Sequence, residues 1–109
     1  GDKSNSGTNV IAFLDNKASK TIVIGAHYDH LGLNEHNHSS KPNSNGEIHN
    51  GADDNASGVA VMLNLIKDLQ GKNTNNNYLA IAFSGEEIGL LGSKTKPINM
   101  RCSLSTSLN

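Results

Sequence analysis

The sequence predicts an α/β fold: a small mixed sheet with one crossover helix. Three features predict it. Residues 21–26 (TIVIGA) and 78–83 (YLAIAF) are continuous apolar runs, as in strands covered on both faces. Between them, residues 56–69 carry Val59, Met62, Leu63, Ile66 and Leu69 at helical spacing on one face. A shorter apolar run at 9–14 (NVIAFL) precedes both.

Taken in order, residues 9–14 read as a short strand and the polar stretch 15–20 as a turn. The second strand follows at once, and so short a link favours an antiparallel pair with the first. Residues 31–51 carry little apolar content, a long loop of the kind that is often functional. Gly71 is the stop signal of the helix. The Asn-rich link 72–77 leads to the last strand, so strand, helix and strand form a right-handed parallel crossover. Residues 84–91 read as a short helical segment. The chain reads as a single domain, 1–109, with poorly patterned ends at 1–8 and 95–109.

Composition excludes several classes. The 109 residues carry 9 basic and 10 acidic side chains, a net charge of −1, so no basic stripe exists to follow a phosphate backbone and nucleic acid is not an expected partner. No apolar run reaches membrane-spanning length, and no membrane partner is expected. Residues 1–9 are small and polar, unlike a signal peptide. The single cysteine, Cys102, excludes an intramolecular disulfide and a thiolate zinc knuckle. Two glycosylation-type triplets, Asn37-His38-Ser39 and Asn55-Ala56-Ser57, read as chance matches in an Asn-rich chain.

Three polar clusters follow apolar strands or open the helix, where α/β sheets place ligand sites. The first is His27-Tyr28-Asp29-His30. On an extended chain His27 and Asp29 point the same way, so the carboxylate can fix the imidazole tautomer for a metal; a structural histidine pair is the alternative. In the second, at 50–58 (NGADDNASG), an aspartate can cap the helix, but two adjacent ones leave one to face a cation. The third is Ser84-Gly85-Glu86-Glu87. Adjacent carboxylates at a buried strand end repel each other, and a metal relieves that repulsion. Oxygen and imidazole donors without thiolate suit a hydrolytic zinc site.

Read together, GAHYDHLG at 25–32, NGADDNASG at 50–58 and FSGEEIGLLGS at 83–93 resemble the co-catalytic zinc aminopeptidases. That group includes bacterial leucyl aminopeptidase and relatives of glutamate carboxypeptidase and glutaminyl cyclase. The resemblance covers residues 9–93 and implies a three-layer mixed-sheet α/β fold. It implies that His27 ligates one zinc, that Asp54 bridges two, and that Glu87 ligates the other. Glu86 would be the general base and Asp29 would orient His27. A cis peptide bond between Asp54 and Asn55 is implied as well. The implied reaction is hydrolysis of the N-terminal peptide bond of a peptide with a free N-terminus, Glu86 taking a proton from the attacking water and returning it to the leaving amine. A secreted or periplasmic location rests on the resemblance alone.

The resemblance implies five ligands, and no Asp, Glu or His follows Glu87 in this sequence. The chain therefore reads as a fragment of the family fold, with one zinc or none expected for it alone. His30, His36, His38 or His49 could swing in as substitutes, or remain a solvated loop. Exposed sheet edges and apolar faces predict a homo-oligomer. A non-catalytic binding module, or an inactive fragment of the same fold, is the alternative function. Acyl transfer of the glutaminyl cyclase kind is a third.

Overall fold

The computed structural model describes residues 6–35, 37–41, 46–72 and 74–95. His36, Cys102 and the tail from residue 96 onward lie outside them. The elements are β1 (Val10–Leu14), β2 (Thr21–His27), α1 (Ser57–Leu69), β3 (Asn77–Phe83) and a short α2 (Leu91–Lys94).

The three strands form one mixed sheet in the order β1-β3-β2. β2 and β3 are parallel, joined through α1, as the crossover pattern predicts. The pairing of β1 differs from expectation. β1 runs antiparallel to β3, with Val10 opposite Ala82 and Leu14 opposite Tyr78, and β3 separates it from β2. The short 15–20 link spans the width of a strand instead of closing a hairpin. Asn77 makes that possible. It is 7% exposed; its Oδ1 accepts the N–H groups of Asn16 at 2.9 Å and Ala18 at 3.1 Å, and its Nδ2 donates to the Ala18 carbonyl at 2.9 Å. The backbone groups a hairpin would have paired are satisfied by this one side chain.

Strand alternation sorts the sheet into two faces. Ala12, Ile24, Ala26, Ala80 and Ala82 lie on one face and pack against Val59, Met62 and Ile66 of α1, with Ala26, Met62 and Ala80 buried. The small alanines allow the helix to sit close to the sheet. Leu63 does not join this core. It is 62% exposed, because a sheet three strands wide covers only the central stripe of the helix. The opposite face carries Ile11, Phe13, Leu79, Ile81, Phe83 and Val23, the last 59% exposed.

The segment after β3 is a turn, not the expected helix. Gly85, Gly89 and Leu90 have φ of 69°, 108° and 60°, values that an α-helix excludes, so helical structure starts only at Leu91. Among the described residues no helix is long and apolar enough to cross a membrane.

Candidate metal centre

The parallel pairing of β2 and β3 sets the site. His27, the last residue of β2, lies opposite Phe83, the last of β3, and the Tyr28 N–H donates to the Phe83 carbonyl at 2.9 Å. Both strands therefore end together, and the Glu86–Glu87 turn emerges beside His27. One ring nitrogen of His27 and one oxygen each from Glu86 and Glu87 lie within 4.8 Å of one another. These three residues are all half-buried.

Asp54 arrives from a third segment. Before α1 the chain makes a wide turn over Ala52–Ala56, closed by the Ala56 N–H on the Gly51 carbonyl at 2.8 Å. Gly51 has φ of 67°, and a Cβ there would lie 2.5 Å from the His30 Cβ, so no other residue fits. The Asp54–Asn55 peptide bond is cis, the form the resemblance implies. Asn55, not Asp54, serves the helix start: its Oδ1 accepts the Gly58 N–H at 3.2 Å. The Asp54 carboxylate, released from capping, places Oδ1 3.0 Å from His27 Nε2. Glu86 Oε2 lies 3.8 Å from the same nitrogen.

Asp29 has two roles where one was expected. It faces His27 Nδ1, with its carbonyl oxygen at 3.2 Å and its carboxylate at 3.5 Å. That carboxylate also accepts the N–H of Glu86 on Oδ1 and the N–H of Glu87 on Oδ2, each at 3.1 Å. The Glu86 carbonyl accepts the N–H groups of Gly89 and Leu90 at 3.0 and 2.9 Å. The turn's backbone is thus engaged, and among the described residues no hydrogen-bond donor reaches either glutamate carboxylate.

Electrostatics follow this crowding. Burial opposes the charged form of His27, but the Glu86 charge, the Asp29 carbonyl and the Asp54 carboxylate outweigh it, and its pKa stands above the ordinary 6.5. Burial raises the Glu87 pKa above 4.5, and the charges of Asp54 and Glu86 raise it further. Carboxylates held together with too little positive charge are what a cation would stabilise.

The loop histidines lie elsewhere. Among the described residues His30, His38 and His49 do not join the group around His27. His30 Nδ1 lies 2.9 Å from the His49 carbonyl and 3.1 Å from the Gly32 nitrogen. Among the described residues His49 Nε2 is buried without a partner, and His38 Nδ1 lies 2.6 Å from the Glu87 carbonyl oxygen. A hollow of about 240 Å³ opens at His27 and Glu86 over Gly25, Ala26, Phe83 and Leu90.

In this α/β protein a histidine and two glutamates at parallel strand ends form a group that could hold a metal ion. The chain belongs to peptidase family M28, whose pattern it matches over residues 9–97. It is 38% identical over 89 residues to the alkaline phosphatase isozyme conversion protein of Escherichia coli K12, covering 81% of this chain and 25% of that protein. It is 36% identical over 91 residues to a probable leucine aminopeptidase of Arthroderma otae, covering 78% of this chain and 22% of the relative. A probable leucine aminopeptidase of Trichophyton verrucosum is 33% identical over 93 residues, covering 80% of this chain and 23% of its own length. The chain thus spans about a quarter of the length of the curated relatives it matches. No solved structure gives a significant match.

Proposed function

We propose that this chain contributes the His27, Asp54 and Glu87 part of a zinc centre in an aminopeptidase that cleaves the N-terminal peptide bond of a peptide with a free N-terminus. The observation that carries the reading is the crowding at His27 Nε2. Asp54 Oδ1 lies 3.0 Å from that nitrogen and Glu86 Oε2 3.8 Å from it. Donors sharing one tetrahedral zinc at about 2.0–2.2 Å lie roughly 3.3 Å apart, so the 3.0 Å between His27 Nε2 and Asp54 Oδ1 and this nitrogen–oxygen donor set fit the ion, with the Glu86 carboxylate beside it. The names of the two probable leucine aminopeptidases this chain resembles support the aminopeptidase assignment.

Bound zinc would act as a Lewis acid toward water and the scissile carbonyl. The chain's own residues would do the rest. Asp29 would hold the imidazole by Nδ1, leaving Nε2 to the ion. Glu86 would accept a proton from the attacking water as the new C–O bond forms. It would return that proton to the departing amine as the C–N bond breaks. Glu86 suits this role because its backbone is fixed by Asp29 while its carboxylate accepts no hydrogen bond from a described residue.

Calorimetric titration of the chelator-stripped chain with zinc near neutral pH tests the reading. Uptake is expected to be lost in Asp54→Ala, weakened in Glu87→Gln and retained in Glu86→Gln. Hydrolysis of an aminoacyl p-nitroanilide is expected to fall about 10²–10⁴-fold in Glu86→Gln, and N-acetylation of the substrate should abolish it. Zinc affinity unchanged by Asp54→Ala would overturn the proposal.

A further inference from the structure

The loop that follows β2 is folded around one side chain. Asn34 is 2% exposed and has φ of 53°, a conformation that Asn tolerates better than most residues. Its N–H donates to the Leu31 carbonyl at 2.9 Å, and its own carbonyl accepts the Asn37 N–H at 3.0 Å. Its side-chain Oδ1 accepts the N–H of His38 at 2.7 Å and of Ser39 at 3.0 Å. A buried amide satisfied in this way specifies one loop conformation.

The product of that conformation is the placement of His38. Its Nδ1 lies 2.6 Å from the Glu87 carbonyl oxygen. A carbonyl can only accept, so Nδ1 carries the hydrogen. The Glu87 N–H is already held by Asp29 Oδ2 at 3.1 Å. The peptide groups on both sides of the Glu87 Cα are therefore fixed, one by Asp29 and the other by His38. Fixing both fixes the direction of the Cα–Cβ bond, and with it the region the carboxylate can reach.

We propose that His38, held by Asn34, is a positioning residue for Glu87. It aims the carboxylate at His27 by fixing the Glu87 carbonyl from outside the donor group. The inference deepens the zinc reading and rests on it for its consequence, although the clamp itself can be observed without metal. Metal-ligating side chains need support within a few tenths of an ångström, and outer partners supply it.

The test uses the isotopically labelled chain. In His38→Ala the Glu87 carbonyl ¹³C and Ile88 amide resonances are expected to move while the α1 amide resonances stay in place. In His38→Asn, whose side-chain amide can put an N–H near the same point, they should return toward wild type. Asn34→Ala should reproduce the His38→Ala displacement. Zinc affinity is expected to fall about 10–100-fold in His38→Ala and to recover in His38→Asn. A Glu87 resonance that ignores His38 while α1 is intact overturns the clamp, whatever zinc does. Equal zinc affinity in the wild type and His38→Ala overturns the positioning role. No zinc uptake by the wild type, with a Glu87 resonance that still responds to His38, counts against the zinc reading alone and supports the clamp.

Discussion

His27 Nε2 and Asp54 Oδ1 lie 3.0 Å apart although 27 positions separate them in the chain. The contact depends on the wide turn before α1 and on Asn55 taking over the helix start. Asn55→Ala should break this arrangement, because Asn55 Oδ1 accepts the Gly58 N–H at the helix start. We expect loss of about 1 kcal/mol, the worth of a cap, measured by urea denaturation. An unchanged or raised midpoint would show that Asn55 does not serve the helix.

Asp29 accepts two backbone N–H groups of the glutamate turn. Hydrogen bonds to a charged acceptor are worth about 1.5–3 kcal/mol each, less where solvent reaches them. Asp29→Ala should therefore destabilise the metal-free chain by about 2–4 kcal/mol, a large part of a small domain's stability. A loss below about 0.5 kcal/mol in denaturant titration, the scale of a plain surface change, would exclude the double role.

The titration of His27 gives a pH prediction with a definite sign. Its folded pKa is raised above 6.5, so in the metal-free chain the charged imidazole favours the folded state. That contribution is fully present below pH 6.5 and is lost as pH rises through the folded value. Zinc requires the neutral ring, so zinc affinity should strengthen as pH rises across the same range. Following the His27 ring by NMR with and without zinc checks both. A midpoint at or below 6.5 in the metal-free chain would reverse the sign.

Glu87 has a linkage of the same sign, in a more acidic pH window. Its raised pKa means that the ionised form is disfavoured in the fold, so stability falls as pH rises from 4.5 through the folded value. Glu87→Gln should stabilise the metal-free chain at neutral pH while weakening zinc uptake. The two readouts, thermal midpoint and calorimetric affinity, must move in opposite directions.

Met62 is 4% exposed at the centre of the helix–sheet contact. Met62→Ala should cost about 2–5 kcal/mol, whereas Leu63→Ser, at 62% exposure, should stay within about 0.5 kcal/mol. Val10, Val23 and Leu63 are all more than half exposed, so the chain alone should self-associate at high concentration. Light scattering that shows only monomer would exclude this.

The local signals in the sequence were easy to read. The apolar runs located β2 and β3, and helical spacing located α1 to within a residue. The three polar clusters do converge, because each lies at a strand end or a helix start that the parallel crossover brings together. What was not legible depended on distant partners. Nothing in residues 9–26 shows that β3 will enter between β1 and β2, since the determinant, Asn77, lies some 60 residues on. The helical reading of 84–91 failed because two glycines and Leu90 take positive φ. The narrow sheet, not the helix pattern, left Leu63 outside the core. The loop histidines looked like metal donors or solvated side chains; His38 instead holds a carbonyl, which only the Asn34 fold could reveal.

The insertion of β3 between the first two strands also sets an order of events during synthesis. Among the described residues β1 has no hydrogen-bonding neighbour until residues 77–83 exist, since its partners run from Tyr78 to Ala82. While the ribosome is still making α1, two apolar strands are therefore waiting with unsatisfied edges, the state in which nascent chains are most easily captured by chaperones or by each other. A chain stopped at Asn76 should show little strand signal by circular dichroism, and one extended through Phe83 should gain it in a single step. Strand signal already present at Asn76 would mean that β1 and β2 first pair with each other and are later pried apart.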